Sequence, residues 1–117
     1  MIRVRKEAIQ KDRIEPYFEQ WENLSKEIYA AHDERDSKKA KNLMEQGIAL
    51  FEELMVNTSD TDVEELLVHE EYEGMPLNGM ERFQFIKSRP GQYACYVQLD
   101  ELFKEVKKRF ARLRVQK

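Results

Sequence analysis

Residues Lys87–Tyr93, KSRPGQY, concentrate more usable chemistry than any other stretch of this chain: two cations, a hydroxyl and a proline suited to opening a helix. A helix beginning at Pro90 would present the unpaired backbone N–H groups of Gly91, Gln92 and Tyr93, together with the positive end of its dipole. Ser88 adds a hydroxyl, Arg89 adds a fork of parallel N–H donors, and Lys87 stands close behind them. Aligned donors beside a planar cation suit a phosphate, a nucleotide tail or a partner's carboxylate. The commoner alternative is structural, with Ser88 capping a helix and Arg89 pairing with a nearby acid. The stretch lacks the glycine spacing and the Gly-Lys-Ser/Thr ending of a phosphate-binding loop. Together with Arg82, the same side chains also form a plausible contact surface for a macromolecular partner.

A second basic run, KEVKKRFARLRVQK, closes the sequence. Lys107, Lys108, Arg109 and Arg112 would attract nucleic acid through its phosphates, with a steep salt dependence. Val106, Phe110 and Leu113 recur there at helical spacing, which makes the bases the outer face of a packed helix. The remaining candidates are weaker. His32 and His69 are the only histidines and do not form a pair at the spacing of HExxH, so no metal site is expected. Cys95 is the single cysteine; between Ala94 and Tyr96 it reads as a small core residue rather than a nucleophile. Glu52–Glu53 and Glu64–Glu65 are sequence neighbours and diverge on a helix, a poor geometry for an acid/base pair. No catalytic residue and no cofactor-binding residue is assigned, and an enzyme is not the favoured class.

The elements that would position these groups are helices. One is expected from about Glu15 to Glu34, with Pro16 at its first position and Phe18, Trp21, Ile28 and His32 on one stripe. DERDS turns the chain, and Asp36 or Ser37 can cap a second helix reaching about Val56. There Ala40, Leu43, Met44, Gly47, Ile48, Phe51, Leu54 and Met55 share a face, and Gly47 implies close approach of a neighbouring helix or ring. A short third helix is read in DVEELLVHEE with Val63, Leu66 and Leu67 inward. Asn78 and Glu81 have capping-box spacing before a fourth helix. Arg89 is pushed out of helical geometry by Pro90, which starts the last helix.

Composition agrees. The chain has 117 residues, 41% hydrophobic and 37% charged, which suits one helical domain with a heavily solvated exterior. Its net charge is −3, but both ends are basic, while Asn42 to Glu81 contains no Lys or Arg. No apolar run is long enough to span a bilayer, and the start is not a secretory signal, so a cytoplasmic protein is expected.

PLNGMERFQFIKSRPGQYACYVQLDELFKE, together with Trp21-Glu22 and MEQGIALFEEL, resembles the YpoC-like family of Gram-positive bacteria. The resemblance rests on Pro76, Asn78, Glu81, Arg82, Phe85, Arg89, Pro90, Tyr93 and Gln98. It implies a small, helical, cytosolic protein and no particular activity. The expectation is therefore an all-α single-domain bundle of four or five helices over residues 1–117, two of them long and antiparallel. Residues 1–13 form a basic segment expected to be flexible. The expected role is non-catalytic binding of a protein partner. Arg82, Lys87, Ser88, Arg89, Gly91 and Tyr93 form the anion or partner surface, and nucleic-acid binding by the tail is the weaker alternative.

Overall fold

A computed structural model describes residues 1–116. The described residues form four α-helices: α1 (Lys11–Asp33), α2 (Ser37–Asn57), α3 (Gly79–Ser88) and α4 (Tyr93–Val115). A short 3-10 turn, Lys6–Ile9, precedes them, and the described residues contain no strand beyond two isolated bridges. The fold is an all-α single domain.

α1 begins at Lys11 rather than near Glu15, so Pro16 falls inside the helix and not at its first position. The earlier start is fixed from upstream. Ile9 and Ile14, at the two positions of a hydrophobic staple, are both buried. The carbonyl of Gln10 accepts from the N–H groups of Arg13 and Ile14. At its far end α1 closes with paired bonds, Asp36 N–H to Ala31 O and Arg35 N–H to His32 O, and Arg35 takes the left-handed conformation at φ 59°. This is a Schellman closure with arginine where glycine is usual. The three-residue link then sets α2 antiparallel to α1, and the Asp36 carboxylate caps α2 by accepting from Lys39 N–H at 3.1 Å.

α2 contributes ten buried residues between Ala40 and Val56, while Lys41, Glu45, Ala49 and Glu53 keep its opposite face in solvent. The stripe read from its sequence is the part that packs against the ring cluster of the other helices. Trp21 of α1 lies stacked on Phe103 of α4 at 4.6 Å, and Phe51 meets Phe103 and Phe83 at 5.1 and 4.9 Å. Gly47 lies under this cluster. A Cβ there would stand 2.6 Å from Trp21 Cζ3, which is the close ring approach its sequence position implied.

The segment between α2 and α3 departs from expectation. DVEELLVHEE is not a helix. The amide of Leu66 donates to Glu52 Oε2 and that of Leu67 to the Tyr72 hydroxyl, so neither enters an i to i−4 ladder. Only Leu66 faces inward, and Val63 and Leu67 are exposed. The competing partner is the N-terminal segment. Ile2 N–H donates to Glu71 O, Glu73 N–H to Ile2 O, Asp60 N–H to Arg3 O and Arg5 N–H to Thr58 O. Residues 1–5 are thereby laced along the crossover, and tertiary pairing overrides a weak local preference for helix.

Two helix starts also differ from the sequence reading. Asn78 precedes α3 in the left-handed region, φ 56°, and makes no side-chain cap bond, so the capping box with Glu81 does not form. α4 begins at Tyr93, three residues after Pro90. Arg89 leaves helical geometry as expected, at φ −141°.

Candidate functional site

The corner between α3 and α4 is built by a hydrogen-bonded turn. Ser88 ends α3 with its hydroxyl donating to Phe85 O at 2.6 Å. Gln92 N–H then closes on Arg89 O at 3.2 Å, with Pro90 at the second turn position, where its fixed φ is favourable. One of the three amides expected to face an anion, that of Gln92, is thus used by the chain itself. Gln92 in turn is the residue before α4, its carbonyl accepting from Cys95 and Tyr96.

Around this turn Lys87, Ser88, Arg89 and Tyr93 are exposed and Gly91 is half-buried. Lys87 extends over the Phe83 ring, 5.7 Å from its centre. Tyr93 packs edge-on to His32 of α1 at 5.3 Å and lies 5.6 Å from Tyr96, so its ring is braced from beneath while its outer half meets solvent. Phe85 is 51% exposed and Tyr93 48%. Among the described residues neither Lys87 nor Arg89 forms an ion pair. Cys95 lies buried behind the turn; burial pushes its thiol up, against a smaller opposing pull from the Arg89 charge.

Arg82 has a different role from its neighbours. Its guanidinium grips Glu105 of α4 through two bonds, 3.1 and 2.6 Å, with Glu101 at 3.9 Å. The paired hydrogen bonds hold the Glu105 carboxyl below its usual range and push Arg82 further up. This clamp joins α3 to α4 and fixes the corner from one side.

The basic tail is divided. Arg109 donates from Nε to the Glu73 carbonyl of the crossover, and Lys107 lies over the Phe18 ring at 5.6 Å. Arg114, outside the expected set, donates to Ile9 O at 2.9 Å. Lys108 and Arg112 are exposed and line a shallow cleft with Pro76 and Leu77. The tail therefore does not present one continuous row of cations.

Phe85 was not singled out for a site, although its sequence position carried a signal: an aromatic at 85 falls off the Met80–Phe83–Ile86 stripe. Among the described residues no three His, Cys, Asp or Glu side chains converge on a point that could hold a metal. No helix is long and apolar enough to cross a membrane.

No solved structure gives a significant match. The chain is 34% identical over 97 residues to a protein of Bacillus subtilis (strain 168) called "Uncharacterized protein YpoC", an alignment covering 80% of this chain. The chain spans 59% of that relative's length. Residues 11–117 match the family described as YpoC-like protein, a span that contains all four helices and the corner just described. The chain belongs to the YpoC-like family.

Proposed function

We propose that this chain is a non-catalytic protein-binding module that receives an acidic segment of a partner at the α3–α4 corner, on Lys87, Arg89 and Tyr93. The observation that carries this reading is the combination of exposed aromatic rings with cations that have no ion-pair partner. Arginine and tyrosine are the residue types that dominate binding energy at protein interfaces. Tyr93 is pre-positioned by His32 and Tyr96 beneath it, so little freedom would be lost when a partner covers it. Arg82 serves this surface as a strut through Glu105 rather than as a contact, while Ser88 and Gly91 shape the turn. An isolated small-anion site is the weaker reading, because Gln92 N–H already closes the turn and the helix starts beyond Pro90. Nucleic acid is weaker still, with Arg109 and Lys107 engaged within the fold.

The test is a capture experiment from a bacterial lysate with cross-linking. It uses the wild type, an Arg89→Ala/Tyr93→Ala variant, and a Lys108→Ala/Arg112→Ala control. The expected result is one set of cross-linked partners shared by wild type and control and lost by the corner variant. Identical partners for all three, with cross-links mapping elsewhere, would place the contact off this corner.

A further inference from the structure

Residues 1–5 lie in a slot between two pieces of the crossover, and the slot holds them chiefly by their backbone. On one side Ile2 N–H donates to Glu71 O at 2.8 Å, and Ile2 O accepts from Glu73 N–H at 2.8 Å. On the other Arg5 N–H donates to Thr58 O at 2.9 Å, and Arg3 O accepts from Asp60 N–H at 2.7 Å. The Glu73 carboxylate takes Val4 N–H. Pairing is parallel at Ile2–Tyr72 and antiparallel at Val4–Ser59. Such bonding is how an extended peptide adds to a strand edge, where main-chain bonds give affinity and alternate side chains give specificity. Here Ile2 and Val4 pack half-buried against the core, while Arg3 is exposed. Gly74 keeps the floor low: a Cβ there would stand 3.3 Å from Val4 Cγ1 and 2.8 Å from the Phe110 ring.

The walls are tied down by contacts that do not involve the segment. Thr58 and Ser59 hydroxyls donate to α2 carbonyls, the buried Tyr72 hydroxyl accepts from Leu67 N–H, and Arg109 of α4 donates to Glu73 O. The occupant fits less well. Its two apolar side chains are only half-buried, and Arg5 Nε is buried with no acceptor, a loss that an apolar residue there would avoid. Charge says what kind of chain suits the slot. Residues 58–74 carry seven acidic side chains and no Lys or Arg, whereas residues 1–5 bring Arg3 and Arg5 and no acid. Both walls, Gly74 and Phe110 fall within the span 11–117 that matches the family, and the occupant falls outside it.

We propose that this slot is a binding site for an extended segment of a protein partner, one with apolar residues at alternate positions and bases between them. Residues 1–5 are its tethered occupant, which such a segment displaces. The site lies away from the α3–α4 corner and does not rest on the reading given for that corner. A short tether holds its occupant at an effective concentration in about the millimolar range, so a free peptide competes poorly in the wild type. It binds well once the chain's own segment cannot seat, because the walls are already in place.

Fluorescence anisotropy of a peptide MIRVRK, labelled at its C-terminus, tests this on the full chain. Ile2→Asp/Val4→Asp removes the apolar anchors of the chain's own segment. This variant is expected to bind the peptide at least about tenfold more tightly than the wild type does. Adding Glu73→Ala weakens that binding by at least about fivefold, through loss of the bond to Val4 N–H. A peptide N-methylated at Ile2 and Val4, which lacks two of the donors, does not bind. Circular dichroism checks the folding of each variant. Should the aspartates unfold the chain, Ile2→Ala/Val4→Ala carries the same comparison. Equal affinity for the wild type and the folded variant, or no saturable binding to that variant, would overturn the proposal. So would binding that is indifferent to N-methylation or to Glu73→Ala.

Discussion

The two ends of the bundle are held by different means. At one end the crossover of residues 58–78 meets the N-terminal segment and the last turns of α4, and several polar groups there are engaged by the chain. Thr58 and Ser59 are buried with their hydroxyls donating back to Leu54 and Met55 carbonyls. Val4 N–H reaches the Glu73 carboxylate at 3.0 Å, and Arg109 and Arg114 are bonded to backbone carbonyls. At the other end two short turns, Glu34–Asp36 and Arg89–Gln92, close on their own backbone bonds and leave Lys87, Arg89 and Tyr93 facing water. Arg109 and Arg114 at the first end act as internal ties, whereas Lys87 and Arg89 at the second form no ion pair among the described residues. A basic residue's sequence neighbourhood therefore says little about its use, because the available carbonyls and carboxylates decide it.

Substitutions can break or sharpen this contrast, and the largest effect belongs to the laced end. Phe110→Ala removes a fully buried ring that packs beneath Gly74 and should destabilise by about 3–5 kcal/mol, read as a lowered midpoint in urea. A midpoint close to wild type would mean that this end is far looser than its bonds imply. Arg109→Ala should cost about 1.5 kcal/mol through loss of its charge-assisted bond to the Glu73 carbonyl. Opposite in sign, Arg35→Gly at the turn end should stabilise by up to about 1 kcal/mol by relieving a left-handed side chain, read as a raised midpoint in urea.

The Arg82–Glu105 clamp should contribute less than about 1 kcal/mol, because both side chains remain partly exposed. Its pH dependence has a definite sign. The Glu105 carboxyl is held below its unfolded value, so the stabilisation is complete above the usual carboxylate range. It is lost as pH falls through the lower, folded value. The gap between wild type and Glu105→Gln should therefore be present at neutral pH and close in acid; a gap that widens in acid would contradict the clamp. Smallest of all, Lys87→Ala and Arg89→Ala should change stability by no more than about 0.5 kcal/mol. A loss several times larger would show that the corner is structural after all.

What could be read from the chain follows from where its interactions are local. The α2 stripe, the Asp36 cap and the escape of Arg89 from helical geometry depend on residues within one or two turns, so periodicity and backbone sterics were enough to place them. Gly47 is similar: an uncovered backbone within an apolar face implies a close neighbour, and the neighbour is the Trp21 ring. Phe85 was legible only as a residue off the stripe, since exposure depends on what the rest of the fold covers.

The failures are equally specific. DVEELLVHEE has enough apolar spacing to imitate a helix, but its amides and carbonyls are claimed by Glu52, Tyr72 and Ile2, the last some seventy residues upstream. Arg82 and Arg89 look alike in sequence, yet Glu105 takes only the first. Local sequence fixes which segments can coil and which faces are apolar, because those properties depend on neighbours a few bonds away. Tertiary structure alone decides which charges remain free and which segments give up helix for a distant partner, because those outcomes depend on groups that meet only once the chain has folded.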